Sequence, residues 1–440
     1  MASLTYMQVL RGNRTFRRLW LGQVVSELGN WFNFIAGLGL VRAVSANAPE
    51  ATAIMLMCRL APFALISPIA GAFADRWSRR TVMLVTDLAR VIVALGFLMV
   101  RRPEDLWIAY TCNVALTILG TFFEAAKNAA TPNIVGDEGL LAGNALMFSS
   151  RFLLMTLGSV LGGWASARFG YHTAFLINSA SFLVSAYSVW LVPERETRQE
   201  MRDEEAPQQK LWRDVREGWS YIAKNRLVTA IIGVNILWAT GGGAVNLITD
   251  RLGGIVFAGQ SGMKPDAAVA ALYAASGAGL FLGMMFARRV GSHIELHRAT
   301  VPFIGWTLIT QGIFFALMGV LPTIWLACAM VFMSRIVIGV EFAYQETLIM
   351  RLVPDNLRGR VSTMDRSLEF MVWTVSTAIA GWSLHLITPR MLTFICGLLS
   401  ASPGVVWLVA FASRMLKMPQ KIGREEDENE SEETVLASAG

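Results

Sequence analysis

Eleven ionisable side chains interrupt stretches of this sequence that are otherwise apolar: Glu27, Arg59, Asp87, Arg90, Glu124, Arg151, Arg335, Glu341, Asp365, Arg366 and Glu369. An ion at the centre of a hydrocarbon layer costs at least ~2.5 kcal/mol, so such groups pair with one another or face water. Acids in that setting can take up and release a proton, and bases can neutralise an acid. Glu27 stands about 15 Å into its apolar run and Arg335 about 18 Å into another, at the helical rise of 1.5 Å per residue. Both depths are near the middle of a bilayer. Glu124 and Glu341 lie deeper, toward one face. With Arg59, which has the right depth to reach Glu27's helix, these residues are the candidates for coupling an ion to movement of a solute. Glu27 also has a plainer reading as a packing acid. Arg59, Arg90 and Arg151 can equally knit helices together, and Asp365, Arg366 and Glu369 are expected to satisfy one another.

Helices long enough to cross a membrane must position these groups. The chain of 440 residues is 54% hydrophobic and only 16% charged, with a mean hydropathy of +0.48. A soluble domain carries about 25% charged residues. Twelve spans are predicted, over 19–44, 51–74, 81–100, 107–127, 140–167, 171–192, 227–249, 267–287, 299–320, 323–349, 361–387 and 391–412. Of the 38 Lys and Arg residues, 26 fall between spans on the side that holds both termini, and 7 on the other side (Arg42, Arg101, Arg102, Arg168, Arg251, Lys264 and Arg390). That bias places both ends in the cytoplasm of a multi-pass protein of the cell membrane. Net charge +6 is therefore a matter of topology, and no nucleic-acid partner is expected. The four cysteines lie inside apolar runs and imply no disulfide framework. The first apolar run is too long for a signal-peptide core.

Polar residues recur at helical spacing on particular spans. Glu27, Asn30 and Phe34 share a face of span 1; Asn113, Thr117 and Glu124 share one on span 4; Asn235, Trp238 and Asn246 do so on span 7. The uncharged members of these stripes are the candidates for contact with a solute. The two halves of the chain also repeat. Residues 133–164 align without a gap on residues 351–382, at an offset of 218, bringing Gly163 onto Gly381 and Trp164 onto Trp382.

Between spans 2 and 3 the chain reads GAFADRWSRR, residues 71–80. Gly71, Asp75, Arg76, Arg79 and Arg80 in this spacing resemble the signature loop of the major facilitator superfamily, with Ser78 where a glycine is more usual. LGSVLGGW in span 5 resembles that family's exporter-associated glycine motif through Gly158, Gly162 and Gly163, with Ser159 in place of its proline. Those glycines also read simply as close helix packing. The segment leading into span 7 resembles the corresponding helix in the branch containing siderophore exporters and macrolide efflux proteins. The family's arginine-glycine motif of span 4 is absent.

The resemblance implies an all-α membrane fold of twelve helices in two pseudo-symmetric six-helix halves, residues 1–192 and 227–413. It implies that spans 1, 4, 7 and 10 line a central cavity, and that the 71–80 loop latches its cytoplasmic side. Residues 193–226 form the linker, in which Trp212, Val215, Trp219 and Ile222 mark a helix lying on the inner membrane surface; residues 414–440 form an acidic, disordered tail. No phosphate-binding loop is present, and HIELH at 293–297 is not a zinc-protease motif. No enzyme activity, cofactor or metal is expected. The expected function is proton-driven export of a small, partly hydrophobic compound by a monomer in the lipid bilayer. Uptake or lipid movement by the same fold, or a non-transporting receptor or scaffold, are the alternatives.

Overall fold

The computed structural model describes residues 6–74, 77–197, 207–297 and 299–416. Every regular element among them is helical. Span 1 is Arg14–Val44, span 2 Pro49–Ala74 and span 3 Arg79–Gly96. Spans 4 and 5 are Pro103–Gly136 and Ala142–Phe169, and span 6 is Tyr171–Trp190. Span 7 begins as Arg226–Gly242, resumes as Val245–Arg251 and runs on to Ser261. Spans 8 to 12 are Pro265–Leu296, Thr300–Val320, Ile324–Leu352, Asp355–Ser383 and Pro389–Ala412. Eleven are long and apolar enough to cross a membrane. Span 11 is long enough but carries Asp365, Arg366 and Glu369 among others.

Three boundaries differ from expectation. Span 8 continues to Leu296, so HIELH closes a long helix instead of forming a loop. The outer loop expected at 251–264 is largely helical, because span 7 does not stop at Asp250 and Arg251 but continues through a π-helical stretch, Leu252–Phe257. Both charged residues are buried, so their charge does not mark the edge of water. Spans 4 and 5 run in opposite directions and meet at a sharp break at Gly136, with φ 66° and ψ 173°. A side chain there would be strained, whereas glycine adopts such angles freely. At the offset of 218, Gly136 corresponds to Pro354, which immediately precedes span 11. The two halves break the chain at the same place in the repeat with different residues.

The halves differ in how they pack at the two ends of the bundle. Toward the end that carries the linker, one apolar cluster joins Val9, Phe16, Phe123 and Val192 within the first half. Another joins Ile222, Ile231, Ile338 and Trp407 within the second half. Toward the opposite end, here called the far face, a single cluster is shared. Phe34, Leu38 and Leu56 of the first half pack with Leu247, Ile248, Leu252 and Tyr273 of the second. Burial of apolar surface, at about 25 cal/mol per Å², therefore holds the halves together at the far face and holds each half to itself at the linker end.

Candidate functional site

The polar contacts between halves follow the same division. Every hydrogen bond or ion pair that joins two described residues across the halves lies at the far face. Arg42, at the end of span 1, forms ion pairs with both Asp250 of span 7 and Asp266 of span 8. The three are 4%, 0% and 7% exposed. Gly254 lies against the guanidinium, where a Cβ would collide with it. Arg251 reaches the other way, donating to the carbonyl oxygens of Asn47 at 2.6 Å and Ala48 at 3.0 Å and to the Thr52 hydroxyl. Lys264 donates to the Ala167 carbonyl at 2.5 Å, and His385 approaches Glu50 at 3.2 Å. Sequence counting placed Arg42, Arg251 and Lys264 among water-facing outer charges. Arg42 and Arg251 are instead buried in the seam. For Arg251 the signal available was the adjacent acid, Asp250; beside Arg42 the sequence shows none.

Glycines make the seam close. Gly163 abuts Ala270 of span 8, and Gly381 abuts Ala53 of span 2. The glycines are 218 residues apart and the alanines 217, so the two crossings are the same contact made twice by the repeat. The other two glycines of span 5 serve the first half alone, with Gly158 against Trp31 and Gly162 against the backbone of Phe32.

Beneath the seam lies an aromatic layer. Trp31 and Phe34 of span 1 meet Tyr273 of span 8 at centroid distances of 5.9 and 5.3 Å, and the Arg59 guanidinium covers the Phe34 ring at 4.5 Å. Tyr273 donates its hydroxyl to Asn246 at 3.1 Å. Phe34 and Asn246, expected to meet a solute, are thus built into the closure. The span 7 stripe is interrupted between Gly242 and Val245, which separates Asn246 from Asn235 and Trp238. Glu27 is half-buried, and its carboxylate accepts from Asn30 at 3.3 Å.

In the first half, Lys127 donates to both carboxylate oxygens of Glu124 at 2.7 Å, neutralising one coupling candidate. Asn113 donates to the Met55 carbonyl at 2.7 Å and Thr117 to the Asn113 carbonyl at 2.8 Å, so these two bind helix backbone. Arg90 pairs with Asp87 between the rings of Phe123 and Phe182, each 4.6 Å away. That is the knitting role expected of it. In the signature loop, Arg79 donates to the Ala129 carbonyl at 2.7 Å and Arg80 to the Trp190 carbonyl at 2.6 Å. Both anchor the start of span 3 to spans 4 and 6 of its own half. Nothing packs where a Cβ on Gly71 would stand; Asp75 and Arg76 lie outside the described residues.

In the second half the expected mutual satisfaction of Asp365, Arg366 and Glu369 is not what forms. Asp365 accepts from Asn235 at 3.2 Å, and Arg366 pairs with Glu346 at 3.5 Å. Neighbours 365 and 366 point in different directions, and Arg366, one turn from Glu369, is taken by Glu346 of span 10. Arg335 and Glu341 on span 10 are 9% and 3% exposed, and neither forms an ion pair with a described residue. The linker helix, Pro207–Lys224, does more than lie along a surface. Its described end docks on span 11 through Gly218 against Met364 and an ion pair of Glu217 with Arg360. Tyr221 donates to the Leu352 carbonyl at 2.7 Å. Ile222 is buried while Trp219 is 47% exposed.

Two helical halves related by an internal repeat, sealed at one end by a seam of charges and glycines, define a polytopic membrane transporter. The sequence profile of the Major Facilitator Superfamily matches residues 19–376, and the chain belongs to that family. It is 24% identical over 415 residues to the MFS-type transporter YfiS of Bacillus subtilis, covering 91% of this chain and 94% of that one. It is 22% identical to YkuC of the same organism, with 93% of each covered. Among solved structures, a bacterial homologue of the iron transporter ferroportin in an inward-facing state superposes with a TM-score of 0.66 at 14% identity, over 90% of this chain and 98% of that one. The nucleoside transporter NupG does so with 0.69 at 15% identity, over 92% and 100%. The likeness to solved structures shows the fold, and membership of the family makes the chain a membrane transporter.

Proposed function

We propose that this chain is a secondary active exporter that moves a small, partly hydrophobic compound out of the cytoplasm in exchange for protons, by rocking its two halves about the seam. The observation that carries this reading is the set of membrane-depth carboxylates that form no ion pair with a described residue, Glu27, Glu341 and Glu369, in a bundle whose described contacts between halves lie at the far face. A permanently buried, permanently charged acid is costly, and an acid that exchanges its proton as access alternates is not. The basic bias supports a cytoplasmic linker end, and on that reading the state with the far face closed is inward-facing. Closure of the cytoplasmic end would engage the loop bearing Asp75 and Arg76 with the start of span 11, releasing the Arg42 cluster as it does so. Glu27 remains the favoured coupling acid, since Glu124 is neutralised by Lys127.

The test uses purified protein in liposomes with an imposed pH gradient and three fluorescent probes of similar size: cationic rhodamine 6G, a neutral coumarin and anionic carboxyfluorescein. Gradient-dependent accumulation of any of them supports the reading. Glu27→Gln should abolish accumulation and leave gradient-independent exchange. Movement that ignores the pH gradient in the unaltered protein removes proton coupling, and uphill movement by Glu27→Gln moves the coupling site to Glu341 or Glu369.

A further inference from the structure

The wall that spans 7, 10 and 11 present at mid-depth holds groups that neither the seam nor helix packing uses. On span 11, Asp365, Glu369 and Trp373 succeed one another at four-residue spacing and so share a face. Span 7 sets Trp238 against this stripe, its ring centroid 6.0 Å from that of Trp373. Gly242, one turn further on, leaves the room that the Trp238 ring occupies. Phe370 lies 5.1 Å from Trp373, and Phe63 of the first half lies 4.6 Å from Phe370. An aromatic row thus runs from one half to the other.

Three features of this wall differ from a finished core. The indole N–H groups of Trp238 and Trp373 are both withdrawn from solvent with no acceptor. Glu341 is 3% exposed, one of its carboxylate oxygens is unpartnered, and the charge it feels is that of a second acid, Glu369. Glu369 in turn accepts no hydrogen bond from any described residue and feels Asp365, Arg366 and Glu346. Arg366 is the one base in that group, and it is engaged with Glu346. Span 2 brings Arg59 near the level of Phe63, but Arg59 covers the Phe34 ring and is drawn toward Glu27 and Tyr273. The wall is therefore acid-rich, apolar and aromatic. A buried carboxylate without a counter-charge costs several kcal/mol, so these acids lose their protons at little cost only when a cation arrives beside them.

We propose that Glu341, Glu369 and the Trp238–Trp373 pair form the binding subsite for a lipophilic organic cation. The acids would neutralise its charge, and the aromatic faces would hold its apolar body and attract its positive centre. This rests on the transport reading above and narrows it to a class of solute.

Tetraphenylphosphonium and tetraphenylborate share size and shape and differ in sign of charge, so they isolate the electrostatic part. Equilibrium dialysis with the full-length detergent-solubilised protein should show saturable phosphonium binding, at least tenfold tighter than borate. Glu369→Gln and Glu341→Gln should each weaken phosphonium binding tenfold or more without weakening borate. Trp373→Leu should weaken both ions. Glu295→Gln, in an exposed pair with Arg351 at 2.7 Å, should bind as the unaltered protein does. The comparison of the two ions needs no variant, so it stands even where a substitution harms folding. Equal affinity for both ions, or unchanged phosphonium binding in both acid variants, overturns the subsite. Phosphonium bound but never moved in liposomes would sink the transport reading and leave the subsite standing. Gradient-driven movement of the neutral or anionic probe, with no phosphonium binding, would do the reverse.

Discussion

Replacing Arg42 with glutamine tests whether the buried ion cluster decides which end of the protein is closed. Arg42 stands between Asp250 and Asp266, all three nearly inaccessible. Removing it leaves two carboxylates facing each other inside the seam. Taking away one partner of a buried ionic group costs about 3–5 kcal/mol. The cost falls only on the state in which the far face is closed, because opening exposes both acids to water. The closed-to-open ratio should therefore drop roughly 150- to 4,000-fold. Ile248 reports on it: it is fully buried in the cluster shared between the halves, and cysteine is smaller than isoleucine. With Cys58, Cys112, Cys328 and Cys396 replaced, labelling of Ile248→Cys by an impermeant maleimide should be slow, and Arg42→Gln should accelerate it by two orders of magnitude or more. Adding Asp250→Asn and Asp266→Asn removes the stranded charges and should return most of the protection. A labelling rate within threefold of the parent, or no recovery in the triple variant, would refute the argument that charge compensation holds the seam.

Two further outcomes follow from the glycine contacts and the linker. Gly163→Val should expose Ile248→Cys to the same reagent without loss of expression, because its side chain meets the other half. Gly162→Val meets the Phe32 backbone of its own half and should lower the thermal midpoint; reversal of these two results would contradict the assigned contacts. Arg360→Ala breaks a partly exposed ion pair with Glu217 worth less than about 1 kcal/mol. Its unfolding midpoint should barely move, whereas Gly218→Leu, pressed on Met364, should free the linker helix to limited proteolysis.

The fold was legible because each span had to be about 20 apolar residues long and because the repeat aligned without a gap. Span 11, too charged to qualify by composition alone, also aligns on span 5 in that repeat. The reach of helices was less legible. Asp250 and Arg251 read as the arrival of water because a sequence cannot display the partner waiting in another helix. The same blindness affected the site. Asn113 and Thr117 share a stripe with Glu124, but one donates to the neighbouring helix and the other to its own. Periodicity says which residues share a face, not what that face meets. Arg42 was visible only as a charge at the end of a span, since its two acids come 208 and 224 residues later.

The π-helical stretch at Leu252–Phe257 gives the seam a mechanical property of its own. A π turn carries one residue more than an α turn, so this segment stores a surplus residue directly after Asp250 and Arg251. Expelling that surplus would turn the preceding helix by about 100° relative to Gly259, the angle that one residue subtends in an α-helix. Asp250 would swing off Arg42 and Arg251 off the Asn47 and Ala48 carbonyls in one stroke, with the helix still continuous. Shifting that surplus along span 7 would thus loosen the far face by rotation of the short segment Val245–Arg251, like a bayonet fitting, as the halves begin to rock.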